Sequence, residues 1–152
     1  MAIPVKGSWN RRQLDEFLRS QQIPIRLASI GSDGFPRVLA LWYFYGEEKL
    51  YCVSHQSSAL VKILKKNTSV GFEVSPNEPP YFGVRGQAVA NLSRNGAAEM
   101  LTRLLERYLG DLESRLAKWL LSRKEEEMLI TLSPSRFHTW DYRERMTGLD
   151  HT

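Results

Sequence analysis

The stretch from Ile25 to Ala88 decides the fold: IRLASI at 25–30, RVLALWYFY at 37–45 and KLYCVS at 49–54, then SVGFEV at 69–74 and VRGQA at 84–88. These runs are rich in β-branched and aromatic residues and are bounded by turn formers, which is the signature of short strands. Ser32-Asp33-Gly34 lets the second run turn back on the first, and Gly46-Glu47-Glu48 does the same for the third, so an antiparallel meander is expected. The series is interrupted once, by the polar segment Ser54-His55-Gln56-Ser57-Ser58. Ala59 to Lys66 then has helical spacing, with Leu60, Ile63 and Leu64 as its apolar stripe. A helix that begins after a serine-rich loop presents free backbone N–H groups and a positive dipole end, which suits a phosphate. A ligand with an anionic tail is the reading this segment supports.

On either side of that stretch, Asn10 is placed to cap a helix over about 10–22, with Leu14, Phe17 and Leu18 on one face and Pro24 ending it. Val84 to Leu92 reads as a strand. A helical insert is expected over about 93–127, divided near Gly110. Met128 to Leu132 and Phe137 to Tyr142 read as final strand pieces separated by Pro134. Six or so short antiparallel strands must close or leave an edge that aggregates, so the expected fold is mainly β, a small barrel with flanking helices. The 152 residues fit one domain, 1–152.

Composition narrows the function classes. With 42% hydrophobic and 25% charged residues, the chain has the make-up of a soluble globular domain. No apolar run reaches the ~20 residues that span a bilayer. The first residues lack the apolar core of an export signal, so a cytoplasmic location is expected. Cys52 has no partner for a disulfide, and its place within a strand makes it a packing residue. Three scattered histidines, His55, His138 and His151, and one cysteine give no metal-ligand spacing. The net charge of +4 invites a nucleic-acid reading, but from Glu99 to Glu127 basic and acidic residues alternate as they do on a solvated helix face.

The ordered set Gly34-Phe35-Pro36-Arg37, Trp42-Tyr43-Phe44, the Ser57-Ser58 loop with its helix to Asn67, Arg85-Gly86-Gln87-Ala88, Arg107-Tyr108-Leu109 and Trp140-Asp141-Tyr142-Arg143 resembles the FMN-binding split β-barrel superfamily, typified by pyridoxamine 5′-phosphate oxidase and its deazaflavin-using relatives. The resemblance spans roughly Pro24 to Arg143. It implies a homodimer with two flavin sites at the subunit interface. It places the flavin ring along Arg37, Val38, Leu39, Ala40 and Trp42, and the phosphate by Ser54, His55, Gln56, Ser57, Ser58 and Lys62. Arg85 and Gln87 are further candidates, and Trp140 and Arg143 are those a partner subunit would contribute. The chain departs from the family pattern in two places: Ala59 and Leu60 stand where pyridoxamine-phosphate oxidases carry an Arg-Lys pair, and Ala40 replaces a proline common in the second strand.

Each candidate also has a plain structural reading. Ser57 and Ser58 can cap a helix, Lys62 can be solvated, Arg37 can sit exposed in a hairpin, Arg85 can pair with a carboxylate, and Trp42 and Trp140 can pack. No Ser/His/Asp set or carboxylate pair is legible. A flavin explains that, because the ring carries hydride and electron chemistry while the protein positions substrate and tunes the ring. The resemblance therefore implies an FMN-dependent oxidoreductase acting on a small molecule, with a deazaflavin-dependent reductase or a non-catalytic flavin- or haem-binding protein as alternatives.

Overall fold

The computed structural model describes residues 2–147, so His151 lies outside the described residues. In chain order the elements are β1 (Val5–Gly7), α1 (Arg11–Ser20), β2 (Ile25–Ile30), β3 (Pro36–Leu41), β4 (Phe44–Gly46), β5 (Lys49–His55), α2 (Ala59–Lys66), β6 (Ser69–Val74), β7 (Phe82–Ser93), α3 (Ala97–Tyr108), α4 (Arg115–Ser122), a 3₁₀ turn (Lys124–Glu126), β8 (Glu127–Asp141) and α5 (Arg143–Thr147). Strand order across the sheet is β3-β2-β6-β7-β8-β5-β4, with β1 added in parallel to β8. Its two ends, β3 and β4, are joined through only Trp42 and Tyr43, so the sheet must curl until its edges meet. The result is a barrel.

The closure is incomplete, and this gap positions the candidate site. β3 pairs only with β2, and β4 pairs only with residues 49–51 of β5, so the outer edge of β3 and the end of β5 from Cys52 to His55 face each other without a ladder between them. Inside the barrel, Ile25, Leu27, Tyr43, Leu50, Ile130, Leu132 and Phe137 are fully buried, with Leu14 and Leu18 of α1 and Leu64 of α2 closing the ends. A second, smaller cluster lies outside, where Leu101 and Leu105 of α3 and Ala117 of α4 cover Val53 and Trp42.

Several expectations are corrected. The strand expected over 37–45 breaks at Trp42-Tyr43, because Tyr43 turns inward to donate its hydroxyl proton to the Leu18 carbonyl at 2.8 Å. The meander stops there: β5 pairs with β4 and β8, never with β3. The pieces on either side of Pro134 are one 15-residue strand, with an irregularity opposite Gln87/Ala88 that absorbs Ser135 beside the proline. Among the described residues there are eight strands where six or so were expected. The first helix ends at Ser20 rather than near 22, since Gln21 is already extended. The β4–β5 turn holds Glu47 and Glu48 at φ 52° and 61°, the double left-handed geometry that matches strand twist in a two-residue hairpin. Gly86 permits a close approach, since a Cβ there would lie 2.5 Å from the Arg136 carbonyl oxygen. Among the described residues, no helix is long and apolar enough to cross a membrane.

Candidate functional site

The loop at the end of β5 is held by its own side chains. Ser58 caps α2, its Oγ accepting from the Val61 amide at 3.1 Å while Ser54 Oγ donates to it at 2.9 Å. His55 Nδ1 accepts from the Ser57 amide at 3.1 Å and lies 2.7 Å from Ser57 Oγ, which fixes the proton on Nε2; that nitrogen then donates to Glu126 at 3.1 Å. The Gln56 amide donates to the Glu126 carbonyl. The amides of Val61 and Lys62 are taken by Ser58, so those of Ala59 and Leu60 are the ones α2 offers to an anion. Lys62 is exposed and, with Lys66, lines a depression of about 280 Å³ against Ile30, Gly31 and Ser32 at the far end of β2.

On β3, alternation separates the expected residues onto two faces. Arg37 and Leu39 lie opposite Ser29 and Leu27 on the inner side, whereas Val38 and Ala40 point outward and are exposed. The Arg37 guanidinium is drawn back to Asp33 at 3.0 Å, and that hydrogen bond holds the Asp33 carboxyl below the usual carboxylate range. Trp42 stacks on Tyr108 with centroids 5.2 Å apart and planes 8° apart. Arg85 and Gln87 project from the outer face of β7 into a shallow groove of about 650 Å³, lined also by Lys6, Arg26, Val38, Glu73, Arg136 and His138.

Trp140 and Arg143 are not brought to the loop within one chain. Arg143 grips Asp141 in a forked ion pair and lies over the Phe82 ring, while Arg85 lies over Trp140 at 5.7 Å. The Arg143 bonds, with a further one from Trp9 Nε1, hold the Asp141 carboxyl down at about 2 against a smaller opposing effect of burial. Trp140 is separated from Glu127 by most of β8, a path of about 40 Å at the usual rise per strand residue. The structure thus gathers Ser54, His55, Gln56, Ser57, Ser58 and Lys62 at one place, with the turn that leads into β3 against Lys62, and leaves the C-terminal pair elsewhere.

Sequence reasoning missed the cavity that opens on the split. About 260 Å³ in volume, it is lined by Ala40, Leu41 and Trp42 from β3 and its exit, Val53 of β5, Leu101 and Leu104 of α3, Leu120 of α4, Pro24, and Glu127. Glu127 is only 7% exposed, and burial raises its carboxyl above the usual range, an effect that Arg123 and His55 partly oppose. In the sequence it ends the acidic run Glu125 to Glu127 and looked solvated; the one clue is that it is in phase with Leu129, whose partner Val53 lies under α3.

The sequence matches no protein-family model and no curated protein. Its fold matches solved structures well. An F420 reductase superposes with a TM-score of 0.67 over 80% of this chain and 94% of its own, at 23% identity. A conserved hypothetical protein from Mycobacterium tuberculosis gives 0.75 over 91% and 89%, at 22% identity. A FAD-binding protein from Mesorhizobium loti gives 0.61 over 85% and 92%, at 16% identity. The fold is the split β-barrel of the pyridoxamine 5′-phosphate oxidase type, shared with a putative pyridoxamine 5′-phosphate oxidase from Listeria innocua at a TM-score of 0.64 over 84% of this chain and 95% of its own, at 15% identity.

Proposed function

From the split barrel, we propose that this protein binds a flavin-type cofactor, FMN in the first instance, and acts as an oxidoreductase. The observation that carries this is the capped α2 with Lys62 set against the turn at Ile30, Gly31 and Ser32 that leads into β3, a strand whose outer edge is unpaired. A planar heterocycle with carbonyl and imide groups suits a free strand edge, which presents alternating donors and acceptors. Its phosphate suits the amides of Ala59 and Leu60, the helix dipole and Lys62. The residues present therefore fit the cofactor even though the Arg-Lys pair is absent.

When bound, a flavin would supply the hydride and electron chemistry. The chain's own part is positional: Ser58 and Ser54 fix the α2 amides, Trp42 and Tyr108 form a rigid aromatic wall beside the β3 edge, and α3 with α4 excludes water from behind Val53. The reading includes a homodimer. Val38 and Val89, 69% and 54% exposed, lie on the outer sheet face, and Trp140 and Arg143 can approach a β5–α2 loop only by belonging to another copy.

The test is the visible spectrum of the purified protein followed by titration with FMN and with F420. FMN uptake weakened about five- to thirtyfold by Lys62→Ala, the equivalent of ~1–2 kcal/mol for one partly solvated charge contact, is the expected result. Uptake of F420 alone selects a deazaflavin reductase, a second reading favoured by the likeness to an F420 reductase. Uptake of neither overturns the proposal.

A further inference from the structure

Glu127 stands out because its neighbours' charges are directed elsewhere. His55 Nε2 donates to Glu126, Arg123 approaches the same Glu126 carboxylate at 4.0 Å, and the Arg123 guanidinium lies over the Trp119 ring at 4.7 Å. Among the described residues no hydrogen-bond donor holds the Glu127 carboxylate, although the residue is more than nine-tenths buried. It is the only ionisable group in the lining of the split cavity; the other walls are aliphatic apart from Trp42. Its oxygens are not among the buried side-chain atoms without a partner, so they keep contact with solvent at the cavity; what the carboxylate lacks is a counter-charge, which a cation entering the cavity would supply.

We propose that the cavity is a binding site for a small ligand with an apolar, single-ring-sized body and one cationic nitrogen, an amine or amidine, which Glu127 holds. The volume sets the size, since about 260 Å³ falls just below the ~300–1,000 Å³ of sites that take drug-sized ligands. Trp42 and the leucines of α3 and α4 supply the apolar contact. The carboxylate supplies orientation and the preference for a cation, because the ligand's charge provides the counter-charge that His55 and Arg123 direct to Glu126. Ala40 and Leu41 place the opening at the β3 edge, so the cavity is the substrate's side of the split, a last step that rests on the flavin reading above.

The probe is benzamidine, with benzoate and benzyl alcohol as its anionic and neutral counterparts, each titrated into the protein as purified and followed by the Trp42 indole resonance. Benzamidine is expected to bind, benzoate not to bind, and Glu127→Gln to weaken benzamidine at least tenfold while the exposed Glu125→Gln changes it less than twofold. Glu127→Gln keeps the shape and removes a buried charge, so its fold is expected to survive; its indole spectrum checks this. Equal binding of benzoate, unchanged affinity in Glu127→Gln, or no benzamidine uptake at millimolar concentration would overturn the proposal. The indole signal needs no flavin, whereas cofactor uptake is read in the visible spectrum, so benzamidine binding without flavin uptake retains the site and removes only its assignment to the substrate.

Discussion

Arg107→Ala should loosen the wall behind the candidate site. The Arg107 guanidinium donates to three carbonyls at the end of α1: Arg19 at 2.8 Å, Leu18 at 3.2 Å and Gln21. These carbonyls have no partner within the helix. The same group lies over the rings of Tyr43 at 4.9 Å and Tyr108 at 5.4 Å. A bond from a charged donor contributes about 1.5–3 kcal/mol, and partial exposure puts these at the low end. Each ring contact adds about 0.5–1 kcal/mol, while ordering the side chain costs about 2 kcal/mol. The buried Nε without a partner offsets a little more. The net loss expected is about 3 kcal/mol. In a domain of this size that corresponds to a fall in Tm of about 6–12 °C. Urea denaturation measures it, and near-UV circular dichroism should show the Trp42–Tyr108 stack disturbed in the folded variant. Arg107→Lys, which can reach one carbonyl, should lose about 2 kcal/mol. A loss under about 1 kcal/mol for the alanine variant, or full rescue by lysine, would refute the clamp.

Three further outcomes are expected. The Glu127 carboxyl is raised in the folded state, so the folded protein holds that proton more tightly than the unfolded chain. Its destabilising effect is absent below the unfolded value of 4.5 and grows as pH rises through the folded value. Glu127→Gln should therefore gain stability over the parent at pH 8 and match it at pH 3.5, and a pH-independent difference in denaturation curves would contradict this. Gly86→Ala should cost about 1–3 kcal/mol or more, since its Cβ would lie 2.5 Å from a backbone oxygen and 2.6 Å from Phe72, whereas Gly71→Ala, with nothing nearer than 3.9 Å, should be tolerated in the same denaturation assay. Cys52 is fully buried and its thiol is pushed up to about 12 by that burial, so a disulfide reagent at pH 8 should label it only after unfolding; fast labelling of the native protein would count against the packing.

By itself the sequence determined the elements and the faces they bury. Helical spacing over Ala59 to Lys66 and a serine before it were enough to place α2 and its cap, because capping and amphipathic period are local. Ile25 to Ile30 and Ser69 to Val74 emerged with the expected limits for the same reason, since strand period and turn residues act within a few positions. The ordered motifs also carried the split-barrel resemblance that the fold bears out. Only the tertiary structure decided which strands pair. Tyr43 breaks the strand that continuity suggested because its hydroxyl finds a carbonyl on α1, 25 residues away, and the gap between β3 and β5 follows from that break. Pro134, read as a terminator, is held in a strand because an irregularity next to it spares the ladder. Glu127 became a buried group only when α3 and α4 folded over β5 and β8. Burial and register are set by residues far apart in the chain, and no local pattern encodes them.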